Sequence, residues 1–154
     1  MKRQFVASAY VVENQKVLLL MHKKLKKWLP PGGHLDENEL PHEGAQRETL
    51  EETGIEIEII SDDLSIRERN ARIVPKPRHI LLEEIPAHHE EPQHQHIDFI
   101  FLARPIGGTL TVNRQESDAL RWFSEDELDQ IPENEIFNET KTIAKNLIAT
   151  LLAT

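Results

Sequence analysis

The stretch Gly32–Ile55, GGHLDENELPHEGAQRETLEETGI, decides how the rest of this chain is read. Glutamates crowd it at Glu39, Glu43, Glu48, Glu51 and Glu52, with Arg47 among them. Pro41 suits the first turn of a helix, where its missing N–H is not needed. The run after it has no proline, and Gly54 is a natural residue just past a helix C-terminus. The segment therefore predicts a helix over Pro41–Thr53. Residues three and four apart share a helix face. Glu48, Glu51 and Glu52 thus project together, and Arg47 lies on an adjoining edge. Glu48 and Glu52 are a like-charge i,i+4 pair, which costs the helix about 0.2–0.5 kcal/mol. Either solvent or a metal ion offsets that crowding. Grouped carboxylate oxygens suit Mg²⁺ or Mn²⁺, and the Gly32-Gly33 turn lets a backbone carbonyl approach the same point.

On carboxylate count alone, such a helix is a solvated face. Spacing changes the reading. Gly33, Glu39, Arg47-Glu48, Glu51-Glu52, Gly54 and Ile55 stand at the separations of the Nudix hydrolase signature, and Gly33–Ile55 resembles that signature along its whole length. Thr49 departs from it, at a position where the family more often has an aliphatic residue. The flanks extend the resemblance. Trp28–His34, WLPPGGH, is similar to the approach that precedes the signature in many Nudix domains. Glu116–Phe123, ESDALRWF, resembles the stretch where a glutamate precedes an apolar-Arg-Trp strand.

The resemblance implies an α/β/α sandwich around a mixed sheet, one Nudix domain over residues 1–154. It implies metal ligation by Glu48, Glu51 and Glu52, with the Gly32 carbonyl as a further ligand, and a cofactor of Mg²⁺ or Mn²⁺. Glu48 or Glu52 would orient the attacking water. Arg47, paired with Glu39, would hold the glutamates in place, with Glu43 a bystander. Glu116 is the candidate general base outside the signature; the alternative is activation by the metal and a signature glutamate alone. The implied reaction is hydrolysis of a pyrophosphate linkage in a nucleoside diphosphate linked to another group. A nucleoside triphosphate or small nucleotide conjugate is expected rather than a long RNA cap. A non-catalytic nucleotide-binding or regulatory module is the alternative, but such modules have usually lost signature glutamates that this chain retains. An isoprenoid diphosphate isomerase on this fold would need a catalytic cysteine, and the chain has none.

Composition agrees. With 154 residues, 38% of them hydrophobic and 29% charged, the chain has the make-up of one globular domain. No apolar run reaches the ~18 residues of a membrane span, and the N-terminus lacks a signal-peptide pattern. The absence of cysteine excludes disulfides and thiol chemistry and is compatible with a reducing cytosol, so a cytoplasmic location is expected. The net charge of −9 argues against a nucleic-acid partner. It leaves a phosphate substrate possible, because a divalent cation neutralises both sides. The chain is expected to act as a monomer or homodimer.

Around the signature, Phe5–Val12 and Lys16–Met21 predict a hairpin across Glu13–Gln15. The sequence IEIEII after Gly54, HILLEE from His79 and HQHIDFIFLAR from His94 predict further strands. Asp62–Pro77 carries several arginines and no clear pattern. Gly107-Gly108 predicts a turn, and Leu110–Val112 a short strand. Ser124 and Glu127 predict a capping box at the start of a helix, and Asn138–Leu152 a final helix with one apolar face. In the strand from His94, His96 and Asp98 share one face. They are the candidate substrate contacts, with Lys27 and Arg78 as candidate cations for the substrate's phosphates. His88, His89, His94 and His96 are spaced too irregularly for a zinc site.

Overall fold

The structure, a computed structural model, describes residues 1–152. Strands β1 (Arg3–Glu13) and β2 (Lys16–His22) form the expected hairpin. Asn14 and Gln15 close it with φ of 50° and 63°, the doubly left-handed pair whose twist matches that of the flanking strands. Two short strands follow, β3 (Trp28–Leu29) and β4 (Gly32–His34). Neither is long enough to show periodicity, so the sequence did not signal them. The first helix, α1 (Pro41–Thr53), has the predicted bounds. Beyond it come β5 (Ile55–Ile59), β6 (His79–Ile85), β7 (His94–Gly108) and β8 (Ser117–Phe123). The chain ends in α2 (Glu125–Gln130) and α3 (Asn138–Leu152). Ser124 and Glu127 cap α2 reciprocally, at 3.0 and 3.2 Å.

Two local expectations fail, the turn at Gly107-Gly108 and the short strand at Leu110–Val112. Gly107 and Gly108 do not make a turn. They are the last residues of β7, where Ile55 of β5 pairs with Gly108. Residues 110–112 lie outside regular structure. Gly108 has φ of 87°, and a Cβ there would strike the Gly54 carbonyl oxygen. The glycine pair thus serves close strand approach rather than reversal.

The strands form one mixed sheet in the order β3-β2-β1-β7-β5, with β4 beside β1, β6 beside β7 and β8 beside β2. The β1–β7 pair is parallel; the other pairs are antiparallel. Alternation along the central strands divides the core. Tyr10 and Val12 of β1 and Ile100 and Leu102 of β7 pack with Leu128 of α2 and Ala144, Leu147 and Ile148 of α3. Ala7, Ala9 and Val11 join Phe101 and Ala103 against Ala45 of α1. Each fully buried large apolar side chain contributes about 1.5–3 kcal/mol. Helices therefore cover both faces of the sheet. Small residues on the α1 side let that helix settle close to the sheet. Among the described residues no helix is long and apolar enough to cross a membrane.

Candidate active site

The carboxylate face of α1 lies against β4. Gly32 on β4 donates its N–H to Glu52 Oε1 at 2.8 Å. A Cβ on Gly33 would lie 2.7–2.9 Å from the Glu48 carboxyl atoms, so only glycine lets the glutamate sit over this strand. Glu52 is 6% exposed. Burial pushes its carboxyl up to about 8; neighbouring Glu48 and Glu116 add to that, and the Gly32 N–H opposes it. Glu48 is raised by burial against the pull of Arg47. Glu116, on the loop before β8, is near enough for its charge to act on both Glu48 and Glu52. Hydrogen bonds from Glu116 N–H to the Asn113 carbonyl and from Lys23 N–H to the Glu116 carbonyl anchor that loop.

Arg47 braces the cluster. Its Nε and Nη2 form a fork on Glu39 at 2.8 and 3.0 Å. Nη1 donates to Glu48 at 2.9 Å and approaches Glu51 at 3.3 Å, and Nη2 also donates to the His34 carbonyl at 3.0 Å. One planar group thus ties β4, the loop before α1 and the helix itself together. Glu39 also accepts the Asp36 N–H, and the Arg47 bonds hold its carboxyl below the usual carboxylate range. Glu43 accepts the Leu40 N–H at 3.0 Å, so it caps the helix start and stands apart from the cluster. Thr49 is fully buried and donates its hydroxyl to the Ala45 carbonyl at 2.7 Å, which satisfies a polar group at a position where aliphatic residues are commoner.

Glu48, Glu52 and Glu116 therefore lie within electrostatic reach of one another, with Glu51 more exposed beside them. Arg47 alone cannot neutralise so many carboxylates. The donors are hard oxygens, and the buried Glu52 carboxyl favours its proton only until a stronger cation replaces it. These residues fit Mg²⁺ or Mn²⁺. Among the described residues no three such ligands already converge around one point.

The other candidates divide. His96 and Asp98 lie on the α3 side of the sheet, as the alternation of β7 requires. Asp98 is 5% exposed and accepts the Ser8 hydroxyl at 3.0 Å to both oxygens. A Cβ on Gly32 would lie 2.6 Å from Ser8 Oγ, so Ser8 is the seam between this pair and the glutamate cluster. Lys27 is committed elsewhere, donating to the Asn134 carbonyl at 2.8 Å and lying over the Phe137 ring. Arg78 N–H donates to the Ile100 carbonyl at the start of β6, and its charge acts on Asp62 in the preceding loop. Of the histidines, His94 and His96 meet at 3.2 Å between Nε2 atoms, while His88 and His89 stack on each other. Sequence reasoning passed over Ser8 and Glu83. Ser8 is a lone hydroxyl in an apolar strand, a detectable signal. Glu83 reads as a surface residue until β6 is placed beside β7.

Comparison with known proteins agrees with this architecture. A family model for the NUDIX domain matches residues 2–145. A Lactococcus lactis protein named for DHNTP pyrophosphohydrolase activity is 32% identical over 133 residues, 84% of this chain and 68% of that protein. A Bacillus subtilis protein named for 8-oxo-dGTP diphosphatase activity is 27% identical over 123 residues, 78% of this chain and 67% of its own length. The crystal structure of a NUDIX family hydrolase from Clostridium perfringens superposes with a TM-score of 0.79 at 30% identity, covering 98% of this chain and 99% of that one. With the signature, the sandwich and a family match over nearly its whole length, this chain belongs to the Nudix hydrolase family of pyrophosphohydrolases.

Proposed function

We propose that this enzyme cleaves the pyrophosphate linkage of a nucleoside triphosphate or small nucleotide conjugate, with Mg²⁺ or Mn²⁺ held by Glu48, Glu51 and Glu52 and by the Gly32 carbonyl. The observation that carries this reading is the seating of Glu52 and Glu48 on the Gly32-Gly33 strand, with Arg47 bracing Glu48. The relatives named for activity on 8-oxo-dGTP and DHNTP favour a compact substrate bearing a phosphate chain.

When bound, the cation supplies charge neutralisation of the phosphates and a more acidic water. The chain's own part is positional. Glu116, whose charge acts on Glu52, takes the proton of the attacking water in this reading. Arg47 keeps Glu48 and Glu51 oriented. His96 and Asp98 contact the part of the substrate that is not cleaved. Lys27 would serve the phosphates only after leaving the Asn134 carbonyl and the Phe137 ring, whereas Arg78 is anchored through its backbone N–H and would offer its guanidinium. The test is phosphate and pyrophosphate release from a nucleotide panel with Mg²⁺ and with Mn²⁺. Glu52→Gln should lower kcat by more than about 100-fold and leave the fold intact. Full activity in that variant would overturn the metal assignment. Cleavage of no member with either metal would favour a binding module.

A further inference from the structure

Strand β6 has no fully buried residue, and one of its edges is bare. Among the described residues it pairs with β7 alone, so the N–H and C=O groups along its other edge meet no strand. An open edge is a template for another strand, and proteins blunt it with proline, lysine, a bulge or a cover. The sequence of β6, HILLEEI, holds no proline or lysine. Its register with β7 runs unbroken from His79 to Ile85, without a bulge. Arg78 extends the ladder by one residue, through its N–H to the Ile100 carbonyl. The edge from Arg78 to Glu84 is therefore RHILLEE.

That sequence is complementary to its own reverse. Two antiparallel copies related by a two-fold axis at Leu81 set Leu81 opposite Leu81, Ile80 opposite Leu82, His79 opposite Glu83 and Arg78 opposite Glu84. Basic residues meet acidic ones, and apolar residues meet apolar ones. A shift of two residues either way breaks this match, because Leu81 then faces His79 or Glu83. The open edge of β5 behaves in the opposite way. Its sequence IEIEI leaves Glu56 and Glu58 exposed, and an antiparallel copy about its middle sets these glutamates on each other.

The side chains around β6 agree. Alternation puts Ile80 and Leu82 on the α1 side of the sheet, opposite Phe99 and Ile97 of β7. Phe5 lies against Phe99 there, with ring centroids 5.8 Å apart. Ile80, Leu82 and Phe5 are 63%, 53% and 56% exposed, and large apolar side chains left open together mark a surface that meets a partner. The Arg78 guanidinium holds no ion pair among the described residues. Glu84 accepts from Gln95 at one oxygen and keeps the other free for a cation. On the α3 side, Glu83 lies diagonal to Asp98. The one basic group paired with Glu83 among the described residues is His96, at 3.9 Å. Both ends of the edge thus carry charge that an antiparallel copy would balance.

We propose that β6 is a dimer interface: two copies of this chain join edge to edge through antiparallel β6 strands centred on Leu81, which continues one sheet across both. The occupant is a second copy rather than a foreign peptide, because the strand's charge pattern complements itself. Arg78 has five donors, so pairing with Glu84 of the second copy leaves some over for a substrate phosphate.

Sedimentation velocity and light scattering on the whole chain, from about 1 to 100 μM, test this. The parent should run at twice the chain mass. Glu84→Arg and Arg78→Glu each set like charges opposite one another twice across the axis. Each should raise the dimer dissociation constant about 10- to 100-fold. The double variant, with the two charges exchanged, should return to within about threefold of the parent, and a folding defect cannot produce that rescue. Ile80→Lys, at an exposed position, should be monomeric with unchanged far-ultraviolet circular dichroism. A parent that stays monomeric over the whole range would overturn the proposal. So would a dimer that survives Ile80→Lys, or single exchanges that weaken the dimer without rescue in the double variant.

Discussion

Arg47 shows how much one residue settles here. Its guanidinium reaches Glu39, Glu48, Glu51 and the His34 carbonyl at once, and no lysine can reproduce that fork. Arg47→Lys is expected to lower kcat about 10- to 100-fold and to lower Tm, while far-ultraviolet circular dichroism stays unchanged. A variant with full activity would show that the brace is dispensable. Glu52 carries a second prediction. Burial holds its carboxyl at about 8, so a cation must displace a proton there. Affinity for Mg²⁺ should therefore rise from about pH 6 to about pH 8 and level off above. Calorimetry in buffers of different ionisation enthalpy would read the released proton. PH-independent affinity with no proton release would place the cation elsewhere.

At the scale of elements, α1 is held by its ends and by its contact with the sheet. Gly54 follows it with φ of 75°, and a Cβ there would strike the Thr109 carbonyl oxygen. Gly54→Ala should destabilise the protein by about 1–3 kcal/mol, measured by urea unfolding. A loss of a few tenths would mean that the helix end and the tail of β7 adjust freely. Thr49→Val is the contrasting case. The Thr49 hydroxyl bonds a carbonyl within its own helix, so a valine of the same shape should change stability by less than about 1 kcal/mol. A large loss in the same unfolding assay would show that the hydroxyl has a role beyond satisfying itself.

Across the whole molecule, the sandwich keeps its two acidic centres on opposite sides of β1, joined through Ser8 and Gly32. That arrangement makes stability depend on pH. Burial and Asp98 push Glu83 up to about 9 from an ordinary value of 4.5. A carboxyl raised by folding binds its proton more tightly in the native state. Its contribution is complete below 4.5 and is lost as pH rises through about 9. Thermal melts of metal-free protein should show Tm falling over that range, and Glu83→Gln should flatten the fall. An unchanged slope in the variant would put the titration elsewhere.

Much of this was legible in the chain. The bounds of α1, the β1–β2 hairpin, the α2 cap and the α3 face follow from proline, glycine, capping residues and periodicity, which are local. Fixed spacing put the signature glutamates on one helical face, and a resemblance in the flank drew attention to Glu116. Other features required the folded sheet. The glycine pair at 107–108 has turn composition, yet the nearness of Gly54 holds it in a strand. Glu83 and Asp98 are separated along the chain and meet because β6 pairs with β7; Ser8 joins them because β1 runs parallel to β7. A sequence determines how residues a few positions apart are arranged, because backbone geometry repeats over that distance. Which distant strands become neighbours is a property of the packed core, and so only the tertiary structure decided where a buried carboxyl pair would stand relative to the carboxylate face of α1.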